Sequence, residues 1–272
     1  MINFVTGGSG FIGQRLVKAL KWSGNEIRFL SRKYQFEDTI VCDLQSDFIP
    51  DDALDGIDTV FHLAGFAHDM QDPSKVEDLY RVINVDATVQ LAKLAIQSGV
   101  KRFIFVSSVK AGGSVNSKEC LSENNQYEPK DIYGKSKFIG EISDKDNVLT
   151  IRTSIIGIEH SSSLSLLSWF LSQTNTISGY KNAIYSGVPT TYLADFINQY
   201  SDMSGLYHLS SKPISKFELL NYFAEYYNHK IEIVEDLSFE IDRSLQAKKL
   251  EEEINFIQPS WQDLVTYLPK EL

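Results

Sequence analysis

The sequence predicts an α/β protein, a doubly wound parallel sheet with a smaller C-terminal lobe. Three observations carry that expectation. The chain opens on an apolar run, Ile2–Thr6, that breaks at a glycine-rich turn and passes directly into a helical pattern. Short runs that are apolar almost throughout then alternate with helical stretches as far as residue 157, the pattern of strands covered on both faces and joined by crossover helices. After Gly157 the texture becomes aromatic and amphipathic, beginning with a polar break at Ser161-Ser162-Ser163.

The first strand leads into Thr6-Gly7-Gly8-Ser9-Gly10-Phe11-Ile12-Gly13 and a helix over 11–20. Gly7, Gly10 and Gly13 fall at G-x-x-G-x-x-G spacing. The first lets the backbone turn out of the strand, and the second leaves room for a pyrophosphate beside the main chain. The third lets the helix pack close to the strand. The helix start then aims unpaired N–H groups and a partial positive charge at the phosphates. Strand, glycine turn and helix in that order predict dinucleotide binding; the plainer alternative is a tight turn without a ligand. Further strands are predicted at 26–30, 39–43, 59–64, 102–107 and 149–153, and helices around 78–99 and over 133–143. Beyond them come an amphipathic stretch at 164–186, a helix at 192–200 and a strand at 205–210 that returns to the sheet. A last helix covers 215–228, with Ser215 as N-cap and Glu218 three residues on. The expected division is an NAD(P)-binding Rossmann-like domain over 1–157, with a return segment near 188–211, and a mainly substrate-binding lobe over 158–272.

A formal net charge of −10 and a pI near 5.0 argue against a nucleic-acid partner. Two cysteines, Cys42 and Cys120, make neither a disulfide framework nor a zinc site. The histidines His62, His68, His160, His208 and His229 lack metal-ligand spacing, so no metal is expected. The N-terminus reads as a core strand rather than a signal peptide, and no apolar run reaches ~18 residues. The expectation is a soluble, cytoplasmic protein without a membrane partner.

Chemistry is concentrated in Tyr133-Gly134-Lys135-Ser136-Lys137. Tyr133 and Lys137 share one helix face, a turn apart. A tyrosine ordinarily titrates near ~10. A neighbouring ammonium favours the phenolate, so Tyr133 is expected to act as general acid or base at a carbon bearing oxygen. The fifth strand ends in Ser107-Ser108, where a hydroxyl can orient the reacting oxygen. A packed tyrosine and a solvated lysine are the plainer alternative.

With these residues in place, the chain resembles the extended short-chain dehydrogenase/reductase superfamily, in its nucleotide-sugar epimerase, dehydratase and reductase branch. The resemblance rests on the Thr6–Gly13 loop, Val60-Phe61-His62-Leu63-Ala64-Gly65, Asn84-Val85-Asp86-Ala87-Thr88, Phe105-Val106-Ser107-Ser108, the Tyr133–Lys137 pentapeptide and Ile151-Arg152-Thr153-Ser154. It implies a catalytic set of Ser108, Tyr133 and Lys137. Ala111-Gly112 replaces the family's usual Val-Tyr, which keeps Ser107 open as the alternative hydroxyl. The resemblance further implies that Phe11 and Ile12 join the glycines at the cofactor. Leu63, Ala64, Gly65 and Ser107 would line it, Asp43-Leu44 would meet the adenine, and Lys137 would bind the nicotinamide ribose. Asn84 is similar to a residue that shapes the active site, and with Thr153 it is an expected substrate-side residue. Relatives often dimerise through helices flanking the fifth strand, so a homodimer is expected on the same ground.

The second strand ends Leu30-Ser31-Arg32-Lys33, without the acidic residue that accepts both ribose hydroxyls in NAD-preferring proteins. Arg32, with Ser31 and Lys33, suits a 2′-phosphate, so NADP(H) is expected in preference to NAD(H); a solvated basic loop is the alternative. His62 is expected to pack beside the sheet, and His68 to sit exposed in a loop. Trp169, Phe170 and Tyr180 either frame a base or belong to the core. The C-terminal half is similar to dTDP-4-dehydrorhamnose reductase-like sequences at Gly205-Leu206-Tyr207-His208-Leu209-Ser210, Pro213-Ile214-Ser215-Lys216, Asp242-Arg243-Ser244-Leu245 and Pro259-Ser260-Trp261. Arg243 is the candidate there for a substrate diphosphate, with a surface salt bridge as the alternative. The expected activity is 4-keto reduction of a UDP- or dTDP-linked deoxyhexulose. The alternatives are an NAD-dependent 4-epimerase and a non-catalytic NADP-sensing protein. Dehydration is disfavoured because Val109-Lys110 stands where dehydratases place Asp-Glu.

Overall fold

Adjacent residues of the predicted strands enter different cores, which explains why those strands read as continuously apolar. The computed structural model describes residues 1–35, 37–67, 73–112, 121–124, 128–142, 145–158 and 165–270. His68, Cys120, His160 and Ser161-Ser162-Ser163 lie outside the described residues. In chain order the strands are β1 (Ile2–Thr6), β2 (Glu26–Ser31), β3 (Thr39–Val41), β4 (Thr59–His62), β5 (Arg102–Val106), β6 (Val148–Arg152), β7 (Ile155–Ile156), β8 (Ile177–Tyr185), β9 (Val188–Pro189), β10 (Gly205–His208), β11 (Ile214–Ser215) and β12 (Ile233–Arg243). The helices are α1 (Gly13–Trp22), α2 (Pro73–Arg81), α3 (Ala87–Gln97), α4 (Ile132–Ile139), α5 (Leu166–Ser172), α6 (Thr190–Gln199), α7 (Lys216–Tyr226), α8 (Lys248–Ile254) and α9 (Trp261–Leu264).

Seven strands form one parallel sheet in the order β3-β2-β1-β4-β5-β6-β10. Val5, Phe61, Ile104 and Ile151 pack on one face with α1 and α6. Phe4, Val60, Phe103 and Phe105 pack on the other with α3 and the 49–57 segment. The order reverses between β1 and β4, which opens a crevice at the carboxyl ends of the strands. The first of these cores continues to Phe170 and Phe223, beyond position 157. β11, β8 and β12 form a second sheet, and β7 pairs with β9. No helix of the described residues is long and apolar enough to cross a membrane.

Several boundaries shift for identifiable reasons. The first helix starts at Gly13 rather than 11, because Phe11 and Ile12 stay in the turn. The third strand stops at Val41, since the Asp43 N–H donates to the Asp47 carboxylate at 2.7 Å and curls the chain away. The long helix expected around 78–99 starts earlier, at Pro73, a residue suited to a first turn, and a π turn over Val82–Asp86 interrupts it. α4 ends at Ile139 because Gly140 abuts the Asn84 carbonyl, where a Cβ would lie 2.6 Å from the oxygen. The return strand lies beside β6, and Ser215 and Glu218 make the anticipated capping box at α7.

Candidate functional site

The glycine turn at the end of β1 forms one wall of the crevice. Gly7 has φ +69°, and a Cβ on it would sit 2.7 Å from the Ala64 nitrogen at the end of β4. A Cβ on Gly13 would fall 2.1 Å from the Gly7 carbonyl oxygen, so only glycine lets α1 start this close to the turn. Gly10 meets nothing but the Gly7 oxygen, at 3.1 Å, and is bare on its other side. No side chain caps α1, and the Phe11 and Ile12 N–H groups have no acceptor among the described residues. An uncapped helix start with a bare glycine before it is the geometry that receives a pyrophosphate. The Phe11 ring itself turns toward the C-terminal half, within 3.1 Å of where a Gly157 Cβ would be.

At the tip of β2, Arg32 and Lys33 are exposed and form no ion pair among the described residues; the Ser31 hydroxyl accepts the Lys33 N–H at 3.5 Å. Asp43 accepts the Gln45 N–H, and Leu44 is partly buried against the second core. These are the residues expected at the adenosine end of a bound dinucleotide.

The residues expected to react gather at the other end. Asp131 caps α4 by accepting the Gly134 N–H at 2.8 Å, which turns Tyr133 and Lys137 toward β5. The Tyr133 hydroxyl is set at Ser108, which favours its charged form. Burial raises its phenol, and Asp131 and Tyr80 push the same way against the Ser108 bond. The net shift runs opposite to the pull toward phenolate expected from Lys137, because desolvation dominates. Lys137 is 5% exposed, with its ammonium 4.2 Å above the Phe105 ring. Burial brings its pKa down to about 7, with Glu141 opposing the fall. Lys137 is thus charged below neutrality and loses its proton as pH rises through that value. Gly65 passes close by, where a Cβ would lie 3.8 Å from the Lys137 nitrogen.

The two serines part company. Ser108 lies at the Tyr133 hydroxyl, whereas the Ser107 hydroxyl donates to Glu141 Oε1 at 2.6 Å. Asn84 and Thr153, expected on the substrate side, spend their polar atoms inside the protein. Asn84 accepts the Phe66 N–H at 2.7 Å and donates to the Phe66 carbonyl and Ser136 Oγ. Thr153, 3% exposed, donates to the Leu209 carbonyl at 2.8 Å. Through these bonds Asn84 ties the 66 loop to α4. Phe170 is fully buried against Phe223 and His229, so it belongs to the core, while Trp169 and Tyr180 flank the Lys216 ammonium at 4.8 and 5.3 Å. Arg243 lies opposite Tyr185 in the β8–β12 register and has no ion-pair partner among the described residues.

Sequence reasoning did not find the network that holds these groups. His62 is buried, and desolvation lowers its pKa to about 3, so the ring is neutral. Thr88 donates its hydroxyl hydrogen to the Asn84 carbonyl at 2.9 Å. Thr88 Oγ1 therefore accepts from His62 Nε2–H at 2.8 Å, and His62 Nδ1 accepts from Thr6 at 2.7 Å. Thr6 in turn accepts the Ala64 N–H at 3.1 Å. Asn84 continues the chain to Ser136, whose hydroxyl donates to the Tyr133 carbonyl at 2.8 Å. A run of buried bonds thus joins the glycine turn to the helix of Tyr133 and Lys137. Tyr80, 7% exposed and 6.2 Å from the Tyr133 ring, was also missed, as was the Lys110–Asp131 ion pair at 3.2 Å.

Comparison with known proteins agrees with this geometry. The model of the NAD dependent epimerase/dehydratase family matches residues 3–144. A UDP-glucose 4-epimerase of Vibrio cholerae is 36% identical over 143 residues, 49% of this chain and 43% of that protein. The chain aligns with less than half the length of the curated relatives it matches first. Among solved structures, a dTDP-4-dehydrorhamnose reductase of Bacillus anthracis in complex with NADP superposes with a TM-score of 0.78 at 20% identity, covering 97% of each chain. A dTDP-glucose 4,6-dehydratase of Streptomyces venezuelae with NAD bound gives 0.75 at 20% identity, covering 98% of this chain and 96% of that one. At such identities the likeness is one of fold.

Proposed function

Because the chain belongs to the NAD dependent epimerase/dehydratase family, we propose that it is an NADP(H)-dependent reductase of a ketone on a nucleotide-linked sugar, a 4-keto group of a UDP- or dTDP-linked deoxyhexulose. The arrangement that carries this reading is the Tyr133 hydroxyl set at Ser108, with the buried Lys137 one helix turn further along α4. A phenol kept in its acid form is set to give a proton to a developing alkoxide, the step that ketone reduction needs. When bound, the nicotinamide supplies the hydride. Ser108 holds the ketone oxygen, Tyr133 protonates it, and Lys137 positions the ribose and the tyrosine. Arg32 and Lys33 support the 2′-phosphate form of the cofactor, and the reductase of B. anthracis with NADP is among the similar folds.

The 4-epimerase reading is favoured by the V. cholerae relative, and the same three residues serve it. The discriminating experiment is mass spectrometry of nucleotide released from the purified protein, followed by NADPH oxidation with a panel of 4-keto sugar nucleotides. Turnover with an initially empty, NADPH-preferring protein supports reduction; tightly retained NAD+ with no net NADPH consumption overturns it. Arg32→Asp with Lys33→Ser is expected to shift preference toward NADH by about 10- to 100-fold, the worth of one or two charge-assisted bonds to phosphate. Equal affinities of the parent protein for NADH and NADPH would refute that assignment. Arg243→Ala is expected to raise the substrate KM about tenfold with kcat little changed, since Arg243 is assigned to the diphosphate. An unchanged KM would remove Arg243 from the site.

A further inference from the structure

We propose that Lys110 is a positioning residue for proton donation, its ammonium lying over the Tyr133 ring to offset the negative charge left when the phenol gives up its proton. This rests on the assignment of Tyr133 as the proton donor in ketone reduction. The Lys110 nitrogen is 5.7 Å from the ring centroid, within the range where an aromatic face attracts a cation. Among the described residues it is the one ammonium over that ring; the Lys137 ammonium lies over Phe105 instead.

Backbone contacts fix where Lys110 stands. It belongs to the helical turn Val109–Gly112 that follows β5. The Val109 N–H donates to the Thr153 carbonyl at 2.9 Å, and the Lys110 N–H donates to Ser108 Oγ at 3.2 Å. α4 lies directly against this turn: a Cβ on Gly134 would fall 2.6 Å from the Lys110 carbonyl oxygen. The side chain is held by an ion pair, Nζ to Asp131 Oδ2 at 3.2 Å. Asp131 gives its other oxygen to the Gly134 N–H at 2.8 Å, the N-cap of α4. One aspartate therefore starts the helix of Tyr133 and holds the lysine over the ring.

Hydride addition to the carbonyl carbon turns the ketone oxygen into an alkoxide. The Tyr133 O–H bond then breaks and the proton passes to that oxygen. The electron pair stays on the phenolate until water returns a proton. Burial disfavours the phenolate, and Asp131 and Tyr80 disfavour it further. A cation at the ring face acts in the opposite sense, and its attraction grows as the ring becomes negative. The Lys110 and Asp131 side chains are 39 and 50% exposed, so their pairing contributes little to stability. What they place beside Tyr133 is a positive and a negative charge with opposite effects on one step.

That opposition is the test. A purely structural ion pair is broken equally by the loss of either partner, so both losses would slow the protein alike. For the charge role, Lys110→Met is expected to lower the single-turnover rate of NADPH oxidation about three- to tenfold, the screened worth of one charge near the ring. Asp131→Asn, which keeps an N-cap residue, is expected to hold or raise that rate. Lys110→Arg restores the charge and is expected to restore the rate. NADPH affinity and Tm should stay near the parent's in all three, since neither side chain is buried. A slowed Lys110→Met beside an Asp131→Asn at or above the parent rate supports the inference. Both variants slowed, Lys110→Met at the parent rate, or a slow rate persisting in Lys110→Arg overturns it. If the parent reduces none of the keto sugars, the proposed reaction fails. The onset of Tyr133 phenolate absorbance, read as the difference from the same protein carrying Tyr133→Phe, then decides Lys110. A later onset in Lys110→Met with an earlier one in Asp131→Asn supports the charge role; onsets that do not part in this way overturn it.

Discussion

Tyr133→Phe is expected to lower turnover by about 10²- to 10⁴-fold, the usual worth of a positioned proton donor, while NADPH affinity stays near that of the parent. Phenylalanine preserves the ring and its contact with Tyr80. The Ser136 bond survives, since it uses the Tyr133 main-chain carbonyl rather than the phenol. Only the hydroxyl beside Ser108 disappears, and Ser108 keeps the Lys110 N–H at 3.2 Å. The stability cost should therefore be on the order of 1 kcal/mol. Steady-state rates with fluorescence titration of NADPH separate the two effects. Parent-like turnover would move the proton donor elsewhere, with Tyr80 the nearest phenol.

The sheet was legible because its strands are covered twice: Phe103 and Phe105 face one core while Ile104 and Val106 face the other, so no polar alternation interrupts the run. The glycine turn was legible because each glycine has a separate steric reason. Less could be read where tertiary contacts set the local structure. The π turn over Val82–Asp86 leaves no mark on the hydrophobic spacing; it exists where Asn84 reaches both Phe66 and Ser136. The direction of the Tyr133 shift was misread for the same reason. Spacing places a lysine one turn away, but desolvation depends on what covers the phenol, and Tyr80 and Asp131 come from outside the pentapeptide. The Ser107 hydroxyl is taken up by Glu141, which is itself paired with Arg152. The four-residue step from Lys137 to Glu141 was visible in the sequence, yet that step alone gives no sign of the buried arginine across the sheet.

Gly13→Ala and Gly10→Ala should fail in different ways, which makes the pair a sharper test of the glycine turn than either alone. At Gly13 the new methyl would lie 2.1 Å from the Gly7 oxygen and 2.6 Å from the Gly8 Cα. These are backbone atoms in a turn pinned by the Gly10 N–H to Gly7 carbonyl bond at 2.9 Å, so the start of α1 must move. A loss of about 3 kcal/mol, the upper range for overpacking, is expected, together with loss of dinucleotide binding. At Gly10 the only neighbour is the Gly7 oxygen at 3.1 Å, a contact relieved by a few tenths of an ångström. Gly10→Ala should therefore fold with a Tm close to the parent's. Its methyl would stand on the bare side, where the pyrophosphate must approach the Phe11 and Ile12 N–H groups, and NADPH affinity should fall about 100-fold, the equivalent of two lost charge-assisted bonds. Calorimetric melting and NADPH titration of the two variants decide the matter. If Gly10→Ala binds NADPH as the parent does, the bare glycine is not facing phosphate, and the turn would be an economical way to pack a helix against a strand.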